Sequence, residues 1–126
     1  MLKILIVGLG GFLGAIARYG LQGLVHRYST ASFPTGTLVV NLLGCAAIGV
    51  FMCLAEERQF FSASTRLFLT VGFLSSFTTL STVGYETFHF LRGSDFRLAL
   101  LNAGANMILG LMAVAFGWTA VNLLRL

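Results

Sequence analysis

Between residues 67 and 85 the chain carries no charged side chain, and this constrains its fold more than any other feature. A helix crossing a hydrocarbon bilayer needs about 20 mostly apolar residues. With its flanks the stretch covers residues 65–91, and three others resemble it. Residues 2–25 are broken, past Lys3 at their start, only by Arg18, residues 33–55 hold no charge, and residues 98–124 close the set. Mean hydropathy is +0.91 and only 10% of residues are charged, whereas soluble domains carry roughly a quarter. Residues 26–32, 56–64 and 92–97 make short connections, so neighbouring helices must run antiparallel. The predicted fold is an all-α membrane protein: four transmembrane helices forming one domain over residues 1–126.

The third segment contains Ser75-Ser76-Phe77-Thr78-Thr79-Leu80-Ser81-Thr82, in which six residues carry a hydroxyl. Hydroxyls at membrane depth bond across helices or face a polar path. Gly72 and Gly84 flank the cluster and weaken a helix at both ends. Irregular backbone at that depth survives only where protein buries it or water reaches it. The third helix is therefore expected to break at mid-membrane, leaving backbone and hydroxyl groups that bind something small and polar.

Lys3, Arg58, Arg66 and Arg125 fall on one side of such a bundle; Arg27, Arg92 and Arg97 fall on the other, with Arg18 dipping inward. Positive charge orients membrane helices, and this balance predicts insertion in both orientations and an antiparallel dimer. A dimer interface would also shield the hydroxyls and asparagines from lipid, and Gly10 with Gly14 forms a face for close helix approach. The net charge of +4 has no basic stripe behind it, which argues against nucleic acid. Lys3, the apolar run after it and Ala15-Ile16-Ala17 have the outline of a secretory signal. The glycines in that run and Arg18 directly after it favour an uncleaved first helix. Cys45 and Cys53 lack metal-ligand spacing and read as packing residues.

Thr37, Asn41 and Gly44 share one helical face, as do Asn102, Asn106 and Gly110. Alone, each asparagine reads as interhelical glue; two stripes beside a hydroxylated break read as a lined path. No acidic or basic ring is present, and neutral donor-rich walls suit a small anion. The positive edges of phenylalanine rings, among them Phe12, Phe51, Phe73, Phe77 and Phe88, can add to this. Arg18 and Glu86 are the charges nearest the apolar zone: candidates for an anion-attracting vestibule, or for structural pairing and capping. His26 and His89 read as interfacial residues. No nucleophile elbow, HExxH, P-loop or dinucleotide fingerprint occurs, so an enzyme is not expected.

Over its full length the chain resembles the Fluc (CrcB) family of small fluoride channels. Four motifs carry the resemblance: Gly10-Gly11-x-x-Gly14-x-x-x-Arg18-Tyr19, Gly36-Thr37-x-x-x-Asn41-x-x-Gly44, Thr78-Thr79-x-Ser81-Thr82 with Gly72-Phe73 before and Glu86 after, and Asn106. The resemblance implies an antiparallel, dual-topology homodimer with two pores, exporting fluoride passively across the bacterial inner membrane. It implies a pore lined by Asn41, Asn106 and the polar residues around them. With the face and cluster above, the candidate lining is Thr37, Asn41, Thr79, Leu80, Ser81, Thr82, Val83, Asn102 and Asn106. It also implies a structural sodium ion at the dimer centre, held by the carbonyls of Ser75 and Thr78 from each copy. The family commonly has phenylalanines where this chain has Leu80 and Val83, Gly-Gly where it has Ser75-Ser76, and a serine where it has Gly110. Three other readings stay open: a subunit that pairs with a paralogous chain, as some members of the family do, a non-conducting membrane protein that merely packs or partners, and a small proton-coupled exporter of organic cations. The exporter mechanism needs a carboxylate in the first segment, and none is there.

Overall fold

A computed structural model describes residues 1–29 and 32–124. Thr30 and Ala31 of the first connection, and Arg125 of the charge count, lie outside the described residues. Helix α1 spans Leu2–Tyr28 and α2 spans Thr35–Glu56. Helix α3, residues 63–77, opens as an α-helix, winds as a π-helix over Leu67–Leu74 and closes with an α-turn. After a break at Thr78 and Thr79 come α4, Leu80–Arg92, and α5, Phe96–Leu123. With α3 and α4 taken together, the described residues form four helical spans long and apolar enough to cross a membrane.

Local chemistry sets several helix ends. Pro34 precedes α2, where its fixed φ and missing N–H suit a helix start. Ser62 caps α3 by accepting from Thr65 N, and Asp95 caps α5 by accepting from Leu98 N. His26 and Arg27 sit in the last turn of α1, where positive charge complements the helix dipole. Ser94, with φ of 60°, makes the tight reversal between α4 and α5.

Two helix pairs rest on glycine. A Cβ on Gly10 would lie 2.6 Å from Phe68 O, and one on Gly14 would strike the Phe73 carbonyl. Thus α1 lies directly on the π-wound part of α3. Likewise, Gly49 of α2 faces the Val114 carbonyl of α5, and Gly117 of α5 faces the Ala46 carbonyl of α2. In lipid, where apolar burial drives little, such approach supplies the dispersion contacts that hold helices together. The Gly10–Gly14 face is thus used inside one chain. The outer faces of α1 and α5 expose Leu5, Leu9, Phe12, Leu111, Met112 and Phe116, as lipid-facing surfaces do.

The flanking glycines do not make the break. Gly72 lies within the continuous π winding, packed on Gly10, and Gly84 lies inside intact α4. The chain leaves the helical region at Thr78 (φ −82°, ψ 161°) and Thr79 (φ −151°, ψ 112°).

Candidate functional site

A break in mid-span leaves peptide groups without their helical partners, and at membrane depth they need others. In an unbroken helix Thr79 N would donate to Ser75 O; here it donates to Asn41 Oδ1 at 2.8 Å. Asn41 Nδ2 donates back to Thr79 O at 3.2 Å. One amide of α2 thereby pairs both backbone groups of the break residue. Gly44, one turn further along α2, makes room for this. A Cβ there would collide with the Thr78 methyl and come within 3.2 Å of the Phe77 ring. The Asn41-x-x-Gly44 spacing therefore combines a polar clamp with a notch that seats the break.

The hydroxyls of the cluster largely bond locally. Ser75 Oγ donates to Thr70 O at 2.9 Å, and Thr78 Oγ1 to Leu74 O at 3.0 Å. Thr79 caps α4: its Oγ1 accepts from Thr82 N at 3.2 Å and lies 3.1 Å from Ser81 Oγ and 2.9 Å from Thr82 Oγ1.

From the break a ladder of side chains runs through the bundle. Asn41 Nδ2 donates to Asn106 Oδ1 at 2.8 Å. Asn106 Nδ2 donates to Asn102 O at 2.9 Å and to Asn102 Oδ1 at 3.1 Å. Asn102 Nδ2 lies 3.1 Å from Thr87 Oγ1, 3.4 Å from Glu86 Oε2 and 3.4 Å from Val83 O. Glu86 Oε1 accepts from Thr37 Oγ1 at 2.5 Å, and Thr37 Oγ1 accepts from Gln22 Nε2 at 3.3 Å. Among the described residues, no buried side-chain polar atom lacks a partner. The ladder joins α1, α2, α4 and α5, and its three asparagine amides each donate to and accept from protein groups.

Two clefts flank the ladder, one on each side of α4. The first, about 680 Å³, is bounded by α2, α3, α4 and α5 and is lined by Asn41, Asn106, Thr79, Leu80 and Val83. Ser75, Thr78, Cys45 and Phe88 also face it. The second, about 710 Å³, is lined by Thr37, Thr82 and Glu86, with Tyr19, Gln22, His26 and His89. Asn102 is fully buried, and Ser81 lies exposed at the start of α4. Leu80 is 77% exposed, whereas Val83 is buried. Phe77 packs against Phe73 in the interior, so Phe88 is the ring that the first cleft offers.

Arg18 and Glu86 take separate partners. Glu86 belongs to the ladder, while Arg18 Nη1 donates to Thr78 O at 3.4 Å. Gln22 and Thr87 complete the ladder and were not singled out by sequence reasoning. Gln22 lies four residues after Arg18, on the same face of α1, and that spacing was the available signal.

Four apolar spans, one of them interrupted at mid-depth beside a ladder of asparagines, define a polytopic membrane protein built around an irregular segment. The chain belongs to the CrcB family: the family model described as "CrcB-like protein, Camphor Resistance (CrcB)" matches residues 5–118. It is 44% identical over 117 residues to a protein of Methanosarcina acetivorans named "Fluoride-specific ion channel FluC 1", covering 93% of this chain and 88% of the relative. A Hydrogenovibrio crunogenus protein named "Fluoride-specific ion channel FluC" is 44% identical over 120 residues, covering 94% and 91% of the two chains. One of the same name from Nitratidesulfovibrio vulgaris is 41% identical over 117 residues, covering 93% and 94%.

Proposed function

We propose that this protein is a fluoride channel, and that it works as an antiparallel pair of copies in the inner membrane, letting fluoride leave the cell down its gradient. It is a channel and not an enzyme, as its family and relatives support. The observation that carries the reading is the break at Thr78 and Thr79, where uncharged groups border an open groove. The amides of Asn41 and Asn106 bond to each other as a fixed wall of that groove, with the buried Asn102 held behind them. At the break α4 begins, and a helix start presents N–H groups and the positive pole of the dipole, which favour an anion. Thr82 faces the second cleft, so the hydroxyls that line this groove are those of Ser75, Thr78 and Thr79. Phe88 lines the same groove and supplies the aromatic edge that Leu80 and Val83 lack.

The first cleft is partly open in one copy. A second copy in inverted orientation would close it into a water-filled path and would give two equivalent paths by symmetry. The carbonyls of Ser75 and Thr78 fit a hard monovalent cation, which prefers oxygen ligands. Asn41 takes the Thr79 N–H that Ser75 O would otherwise accept. Two copies would bring four such carbonyls together, and a sodium ion there would neutralise their dipoles.

Purified protein in liposomes loaded with fluoride and chloride provides the test. Rapid fluoride loss with chloride retained is the expected outcome, read with ion-selective electrodes. Folded protein that releases no fluoride would overturn the reading.

A further inference from the structure

Arg18 has no place in the pathway just proposed. It lies one turn after Gly14, whose missing side chain lets α1 rest on the Phe73 carbonyl. The rise from Arg18 to Tyr28 at the end of α1 is about 15 Å at ~1.5 Å per residue, so Arg18 sits well inside the span. A charge at that depth is costly unless something answers it. What answers it is the end of α3, where Nη1 donates to Thr78 O at 3.4 Å. A helix end gathers orphan carbonyls and the negative pole of the dipole. Here it does so at mid-membrane, and Thr79 N is held elsewhere by Asn41.

We infer that Arg18 is a tethered cationic cap on the interrupted helix, and that it competes with a bound sodium ion for the Thr78 carbonyl. The second half of this inference rests on the sodium site proposed above. A guanidinium and a sodium ion drawn to one carbonyl oxygen stand close enough for like charges to repel strongly away from bulk water. The chain therefore carries part of the cation requirement in its own sequence, and depends less on dissolved sodium than the bare carbonyls would.

The test is thermal unfolding of the purified protein across a sodium series, with N-methyl-D-glucamine as the replacement cation. Arg18→Gln is expected to melt below the wild type without sodium, because the cap is gone. Sodium is expected to raise its Tm further than it raises the wild type's. Half the effect should appear at roughly fivefold lower sodium or less, the low end of a coupling between two sites. Arg18→Lys keeps the charge and should keep the wild-type sodium response, which separates charge from packing. Equal or weaker sodium dependence in Arg18→Gln would overturn the inference, as would no sodium effect in either protein. A Gln variant that cannot be recovered even in sodium would also overturn it, since sodium should replace the lost cap. Fluoride flux is measured separately, so the capping inference and the channel reading can fail independently.

Discussion

At the scale of single residues, Asn41 does two things that the sequence had suggested as alternatives. It is interhelical glue, and it borders the first cleft. Its amide answers Thr79 N and O together, which fixes where the irregular segment sits against α2. Asn41→Leu removes both bonds and leaves a buried N–H and carbonyl unpaired. That should destabilise the fold by about 1–3 kcal/mol and should lower fluoride efflux, read by unfolding in detergent and by liposome flux. Unchanged stability would show that Thr79 finds another partner, and the clamp would have to be abandoned. Thr37 and Asn102 likewise hold Glu86 in place, so the carboxylate reads as part of the scaffold at the wall of the second cleft.

At the scale of elements, glycine decides which helices touch. Gly14 is closed in by Phe73, whereas Gly8 on the same helix has open space around it. Gly14→Val should therefore push α1 off α3 and cost at least the ~1–3 kcal/mol of overpacking, while Gly8→Val should leave the melting temperature nearly unchanged. Equal effects would mean that α1 does not rest on α3. The four spans were legible in the sequence because a run of apolar residues registers directly as membrane length. The interruption was legible too, since six hydroxyls have no reason to face lipid. Its exact position was not. A glycine that weakens a helix and one that admits a neighbour look the same in a sequence, so Gly72 and Gly84 mimic the helix break that the backbone makes at Thr78 and Thr79. The contacts that define the break, Asn41 with Thr79 and Arg18 with Thr78, join residues 38 and 60 apart in the chain. No local pattern encodes such pairings, and the π winding of Leu67–Leu74 has no composition cue of its own.

At the scale of the whole molecule, one copy leaves the first cleft partly open, with Asn41, Asn106, Thr78 and Thr79 in a wall that is otherwise apolar. Light scattering on the purified protein should give twice the 13.5 kDa chain mass after correction for detergent. A tag at the C-terminus should be reachable from both sides of sealed native vesicles. A tag reached from one side alone would remove the inverted pairing. Arg18 points inward to the break and so contributes little to either face, which leaves the charges on the two sides nearly balanced. The ladder described above has a sense: Asn41 donates to Asn106, Asn106 to Asn102, and Asn102 towards Glu86. In a single copy the bonds therefore all point one way. In the inverted pair proposed above that direction would cancel, and such a pair would have no built-in rectification. Current through it would follow the electrochemical gradient alike in both directions, and the cell's own voltage and chemistry would decide which way the ion goes.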